Sequence, residues 1–240
     1  VRLCEETRAL ARRYLSGEYG RALKQTPHVF MDDTVGFDAL SPYDRYDAAI
    51  QKIAKAAPLR FVPGEPFCGS ATLFSAVSHV VPAFFNGKAV FSSVSHLTCD
   101  FERVLSEGLD GFKAEIDQRL SEPADSGQKR FLLSLLNVYD AMKTWHGRYL
   151  AELKAKACAS ADESMRNYYN RLFDSLKNVP FSRPSGFREA LQSLWFTFAF
   201  IRLCGNWPGI GRLDKMLGPF LEKELENKSI TEGSAREYLA

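Results

Sequence analysis

Apolar residues recur along most of this chain at three- and four-residue steps, the spacing of one face of an α-helix. Leu3, Leu10, Ala11, Tyr14, Leu15 and Tyr19 share a face of a predicted helix over residues 3–24, with arginines and glutamates opposite. Ser41-Pro42 supplies an N-cap and a first-turn proline for a second helix to about Ala56, with Tyr43, Tyr46, Ile50, Ile53 and Ala57 as its buried stripe. Asp100 is placed to cap a helix over 101–107, which breaks at Gly108 and resumes over 109–121. The strongest helical period runs from Lys129 to about Ser160, where Phe131, Leu135, Tyr139, Met142, His146, Tyr149 and Leu153 mark a stripe expected to lie along a core. Further helices are predicted over 162–176 and 217–226, and from an N-cap at Thr231 onward.

Two stretches break the pattern. From Pro58 to Ser95 short β-favouring runs, Leu59–Val62 and Ala89–Ser93, stand among Pro63, Gly64, Pro66, Gly69, Pro82 and Gly87, which predicts strands and loops. From Ser185 to Cys204 a helix carries Phe187, Leu191, Leu194, Trp195 and Phe198 on one stripe, with Phe196, Phe200 and Leu203 on the other side. A helix apolar nearly all round is buried on every face. Its apolar run is shorter than the roughly 20 residues of a membrane span and contains Gln192 and Arg202, so a core helix is expected. The fold class that results is α/β, predominantly helical with a few short strands.

Directly after that helix comes Cys204-Gly-Asn-Trp-Pro-Gly-Ile-Gly-Arg-Leu-Asp-Lys-Met-Leu-Gly-Pro-Phe220, with glycines and prolines around Arg212 and Asp214. A charge buried without a partner beside so apolar a run costs several kcal/mol, which predicts an ordered turn. Gly209-Ile-Gly211 follows a helix and lacks dinucleotide or P-loop spacing, so it is not expected to cradle a phosphate. The all-round apolar helix, and a last helix without a C-cap signal, predict that part of the core lies in a longer polypeptide; a dimer interface would serve the same purpose.

Composition narrows the function classes. Hydrophobic residues at 45% and charged residues at 25% fit a globular protein. Lys plus Arg at 31 against Asp plus Glu at 29 leaves a net charge of +2, which points to neither nucleic acid nor an anionic membrane as partner. Five cysteines form no CxxC pair and no signal-peptide pattern opens the chain, which predicts a reduced, cytoplasmic setting.

His96 has the strongest chemical context. It follows a β-favouring run, lies in the polar stretch Ser92–Thr98 and precedes a helix N-terminus. An imidazole there can bind a substrate hydroxyl or carboxylate, or relay a proton; a structural histidine bonded to backbone is the competing reading. His79 and His28 have weaker contexts, and His146 lies on an apolar stripe as a core histidine. His96 and Cys99 stand three apart with no second pair nearby, so no metal site is expected. Cys68 and Cys99 occupy loop-like positions, where small apolar filling is the ordinary role.

These residues also resemble a family. Gly205-Asn-Trp-Pro-Gly-Ile-Gly-Arg-Leu-Asp214, then Pro219-Phe220 and Leu-Glu-Lys-Glu-Leu225, is similar to a segment of the glycyl radical enzymes, the pyruvate formate-lyase-like family. Phe187-Arg-Glu-Ala-Leu-Gln192 resembles the helix entering that turn, and Ser229-Ile-Thr-Glu-Gly-Ser-Ala235 the next helix start. Ser95-His96 with Asp100-Phe101, Gly108-Leu109 and Gly111 is similar to the family's Gly-His segment and the helix pair after it. Ser95 replaces the usual glycine, Cys99 stands where proline is common, Lys215 where glutamine is frequent, and Trp207 where dehydratase-type members have small polar residues.

The resemblance implies that residues 1–240 form a single incomplete domain, the N-terminal portion of a glycyl-radical-enzyme α/β barrel. It implies that His96 faces the substrate pocket and that Arg212 and Asp214 are structural ions holding the turn. The full-length enzyme would cleave a C–C, C–N or C–O bond of a small organic substrate, as a lyase or dehydratase. A glycyl radical installed by an S-adenosylmethionine-dependent activating enzyme would be its cofactor, and the activating enzyme and a second copy its partners. The family's radical-relaying cysteine and radical-bearing glycine lie later in the chain, so no catalytic residue is expected here and the chain alone is expected to be inactive. The alternatives are a non-catalytic helical scaffold that binds a partner, or a separate chain that supplies the remainder.

Overall fold

The helix from Phe187 to Leu203 (α6) is the centre of the molecule. The computed structural model describes residues 2–18, 27–69, 79–90 and 95–240, with the side chains of Ser95, His96 and Trp207 outside that description. Nearly every α6 residue is buried on both sides, from Phe187, Ala190 and Leu194 on one stripe to Phe196, Phe200 and Leu203 on the other. Two of its polar members are accommodated singly: Gln192 exchanges two hydrogen bonds with the backbone of Cys68, at 2.8 and 3.1 Å. Thr197 returns its hydroxyl to the Ser193 carbonyl at 2.8 Å.

Around it lie α3 (Phe101–Ser121), α4 (Ser126–Ala159), α5 (Glu163–Leu176) and α7 (Leu213–Glu226). α4 runs alongside α5 and α2 (Pro42–Ala56). Its start is fixed by a capping box, Asp125 accepting from the Gln128 backbone while the Gln128 side chain accepts from Asp125 N–H. Where α4 meets α6 an aromatic cluster forms. The Trp145 ring stacks on Phe196 with centroids 4.5 Å apart, and Tyr149 meets Trp145 edge-on at 5.0 Å. Burying each such ring stabilises the fold by about 1.5–3 kcal/mol, and ring pairing adds about 0.5–1.5 kcal/mol. His146 is the core histidine its position predicted: its Nε2 lies 2.9 Å from the Leu176 carbonyl oxygen, and burial pulls its pKa down.

The break at Gly108 has a physical cause. The residue takes φ 72° and ψ 169°, and a Cβ there would stand 2.2 Å from the Phe181 carbonyl oxygen. Only glycine fits. The amides freed by the break are recaptured, Leu109 N–H by Pro180 O and Asp110 N–H by Phe181 O, both at 2.9 Å.

Several expectations need correction. Helix α1 (Glu5–Leu15) ends ahead of the predicted span, because the chain turns at Ser16 and Gly17 with Gly17 at φ 72°; residues 19–24 of the predicted helix lie outside the described residues. The run Leu59–Val62 is not a strand. Tyrosine hydroxyls take the place of a neighbouring strand: Arg60 N–H donates to Tyr149 Oη at 3.1 Å, and Tyr168 Oη donates to the carbonyls of Val62 and Glu65. In the predicted run Ala89–Ser93 only Ala89 is found in a strand; residues 91–93 lie outside the described residues. Tyr43, Phe131 and Leu135 are exposed, against their place in the predicted stripes. The α2–α4 contact beside them is polar, with Arg130 bridging Asp44 and Asp47, Ser134 bonded to Asp47, and Gln51 to Asn137. α7 begins at Leu213, one turn before the predicted start.

The described strands form two small sheets. β1 (Val29–Phe30), β2 (Ala83–Phe85) and β3 (Lys88–Ala89) pair in that order, β1 with β2 parallel and β2 with β3 antiparallel. β4 (Ser95–Thr98) and β5 (Trp207–Gly209) form a parallel pair that joins the ends of two distant segments. The last helix, α8 (Glu232–Leu239), is capped by Thr231 and reaches the first residues, where Glu237 accepts from Cys4 N–H at 2.8 Å.

Candidate functional site

The parallel pair β4–β5 gathers the sequence features that carried chemistry. Ser95 aligns with Trp207 and Thr98 with Gly209, with an irregularity between the two positions. The strands approach closely because position 209 lacks a side chain: a Cβ there would meet Thr98 Oγ1 at 3.0 Å. On one side Asp100 turns the chain into α3 by accepting from Arg103 N–H at 3.1 Å. On the other, Gly205 and Gly211, at φ 85° and 84°, make the turns that carry the chain from α6 into β5 and from β5 into α7. His96 therefore sits by its backbone in β4, beside β5, at a strand end that feeds a helix.

Arg212 and Asp214 lie at the far side of the corner. Their pair is bidentate, Arg212 Nε to Asp214 Oδ1 at 2.8 Å and Nη2 to Oδ2 at 2.5 Å. Both side chains are mostly in water, at 68% and 63% exposure. The guanidinium holds the Asp214 carboxyl at about 2, and the carboxylate raises Arg212 in turn. The bond spans two residues of one first helical turn, with Arg212 O also receiving Lys215 and Met216 amides at 3.1 Å. Instead of burying two charges beside α6, the corner turns them outward to each other.

Burial disfavours the thiolate at three cysteines, Cys68, Cys99 and Cys204. Cys68 is buried and its thiol is pushed up by loss of solvent, so it serves as a small apolar filler. Cys99 is half-buried and likewise raised. Cys204, at the end of α6, is pushed up to about 12 by desolvation, partly offset by its hydrogen bond with Tyr46. Among the described residues no group of three His, Cys, Asp or Glu converges to hold a metal ion.

A concavity reaches the turn from β5 into α7, where Ile210 and Leu213 line it. This cavity, of about 720 Å³, opens between α1, the 63–67 loop, α6 and α8, walled by Leu10, Tyr14, Phe67, Leu194, Trp195 and Tyr238. Sequence reasoning missed it, because its walls come from both ends of the chain. The available signal was the apolar stripe of residues 3–15, which needs a partner.

The fold and the corner place the chain in a family. It belongs to the pyruvate formate lyase-like family, whose model matches residues 77–240. Isethionate sulfite-lyase of Nitratidesulfovibrio vulgaris is 32% identical over 166 residues, covering 64% of this chain and 20% of that protein. Trans-4-hydroxy-L-proline dehydratase of Clostridioides difficile is 27% identical, covering 60% of this chain and 19% of its own length. Among solved structures, the glycerol-bound B12-independent glycerol dehydratase of Clostridium butyricum superposes with a TM-score of 0.75 at 18% identity, over 99% of this chain and 39% of that one. The chain thus spans about a fifth of the length of the curated relatives it matches, and its mainly helical fold is a partial piece of the glycyl radical enzyme barrel. Among the described residues no helix is long and apolar enough to cross a membrane.

Proposed function

We propose that residues 1–240 are one incomplete domain, the N-terminal part of a glycyl radical enzyme that cleaves a bond of a small organic substrate by a radical route, as a lyase or dehydratase. The observation that carries this reading is the family match over 77–240, joined to a fold that extends over 99% of the chain into 39% of a glycerol dehydratase. In this reading β4 and β5 are two staves of the barrel, His96 lines the substrate pocket, and the Arg212–Asp214 pair ties the first turn of α7 at the barrel corner. The glycyl radical, the S-adenosylmethionine-dependent activating enzyme that installs it, a homodimeric assembly and a cytoplasmic setting belong to the same proposal.

The test uses the longer protein containing this chain, exposed without oxygen to its activating enzyme and then to isethionate, glycerol or trans-4-hydroxy-L-proline. A glycyl radical signal in electron paramagnetic resonance, with product from one substrate, is expected. The 240-residue chain treated identically gives neither. Turnover by the short chain alone contradicts the reading, as does a longer protein that acquires no radical.

A further inference from the structure

Outside the barrel corner, two loop segments meet in the core through a pair of side chains that the function above does not use. Arg60 follows α2 and His79 precedes β2, and they are 2% and 0% exposed. Arg60 Nη1 lies 2.9 Å from His79 Nδ1, and His79 Nε2 lies 2.8 Å from the Ala199 carbonyl oxygen on α6. A guanidinium only donates and a carbonyl only accepts. Nδ1 must therefore offer its lone pair and Nε2 must carry the hydrogen, which makes this imidazole neutral and confines it to one tautomer. The main chain beside each residue is anchored to the same helices: Arg60 N–H to Tyr149 Oη on α4 at 3.1 Å, and Val81 N–H to Leu203 O on α6 at 2.8 Å.

We propose that His79 is a proton-operated latch, whose neutral Nε2–H form fastens residues 58–61 to α6 and whose second proton, taken up at Nδ1, lets that segment go. The added proton turns the acceptor into a donor aimed at a guanidinium, and sets two cations at hydrogen-bond distance in a core where charge is poorly screened. The surrounding groups define the setting. Arg60 faces the ring from the 57–62 segment, and burial already pulls its guanidinium down. From α4 come the Trp145 ring, edge-on at 6.3 Å, and Tyr149; on α6 the buried Arg202 lies on the turn after Ala199. Glu65, further along the same loop, acts electrostatically on Tyr149 and Cys68. Release is local, because Val62 and Glu65 remain tied to Tyr168 and Cys68 to Gln192.

The test is hydrogen exchange of the Arg60 amide, held by Tyr149 Oη, across a pH series on the intact 240-residue chain, corrected for intrinsic exchange, with ¹⁵N-histidine resonances following His79 in the same samples. The Nε2–H tautomer is expected at neutral pH. As Nδ1 takes its proton, protection of the Arg60 amide should fall about tenfold or more while the α6 amides keep theirs. In His79→Gln the amide can accept from Arg60 and donate to Ala199 without titrating, and the loss should vanish. The latch is overturned if His79 is found as the Nδ1–H tautomer, if it titrates with protection of the Arg60 amide unchanged, or if it stays neutral until the whole chain unfolds. Should His79→Gln not fold, the wild-type resonances and exchange decide alone.

Discussion

α6 and the β4–β5 corner are joined by a few residues, yet they stand in opposite environments. α6 is buried along most of its length, and its end and mid-helix main-chain groups are also met by Glu224, His79 and Val81 of neighbouring segments. The corner consists of a two-stranded parallel sheet with Leu97 56% exposed and an ion pair standing in water. Parallel strands are ordinarily buried within larger sheets, and an isolated pair leaves two open edges. The helical part is largely covered by the described residues, whereas the corner is open to water; on the proposed function it is where the rest of a barrel would add. That contrast matches a chain spanning 39% of the glycerol dehydratase it superposes on.

Substitutions can break or sharpen the contrast. Trp145→Ala removes the ring at the centre of the aromatic cluster and should lower stability by about 3–5 kcal/mol in urea unfolding; a loss under about 1 kcal/mol would deny that the helical part closes around it. Gly108→Ala forces a side chain into a glycine-only conformation and against Phe181 O, at a predicted loss of about 1–3 kcal/mol in the same assay. The equivalent change in the corner, Gly209→Ala, meets only the end of the exposed Thr98 side chain and should cost less than about 1 kcal/mol.

Two pH effects are smaller. His146 is depressed by burial, so the unfolded chain binds its proton more readily; stability is full above the ordinary histidine value of about 6.5 and falls as pH drops below it. Urea midpoints measured along that range should lose this slope in His146→Gln. Asp214, held at about 2, contributes above the ordinary carboxylate range and loses its contribution as pH falls toward 2. Because the Arg212–Asp214 pair is exposed, Asp214→Asn should leave the neutral-pH midpoint unchanged within error, and 0.5 to 1 M salt, roughly a 3–4 Å screening length, should erase any residual difference.

What could be read from the sequence follows the same division. The spans of α2, α5 and α6, the break at Gly108, the caps at Asp100 and Thr231 and the all-round burial of α6 are set by residues close in sequence, and periodicity or capping chemistry exposes them. The failures need distant partners. Leu59–Val62 has strand composition, yet its polar groups are met by Tyr149 and Tyr168, about 90 and 100 residues away. Tyr43 and Phe131 belong to apolar stripes, yet a polar α2–α4 seam leaves them outside. The glycine-rich turn after α6 and the strand-to-helix setting of His96 were each legible, but their juxtaposition was not, because the β4–β5 pairing joins strands distant in sequence. The Arg60–His79 pair was not, because nothing in the spacing of 19 residues announces that the two meet.

The most direct test compares amide exchange in α6 with that in β4 and β5, first in the 240-residue chain and then in the longer protein containing it. The account predicts that α6 amides in the short chain exchange only through global unfolding, while those of 95–98 and 207–209 exchange far faster and gain protection in the longer protein. Equal protection of α6 and the β4–β5 pair in the short chain, unchanged in the longer one, would contradict it.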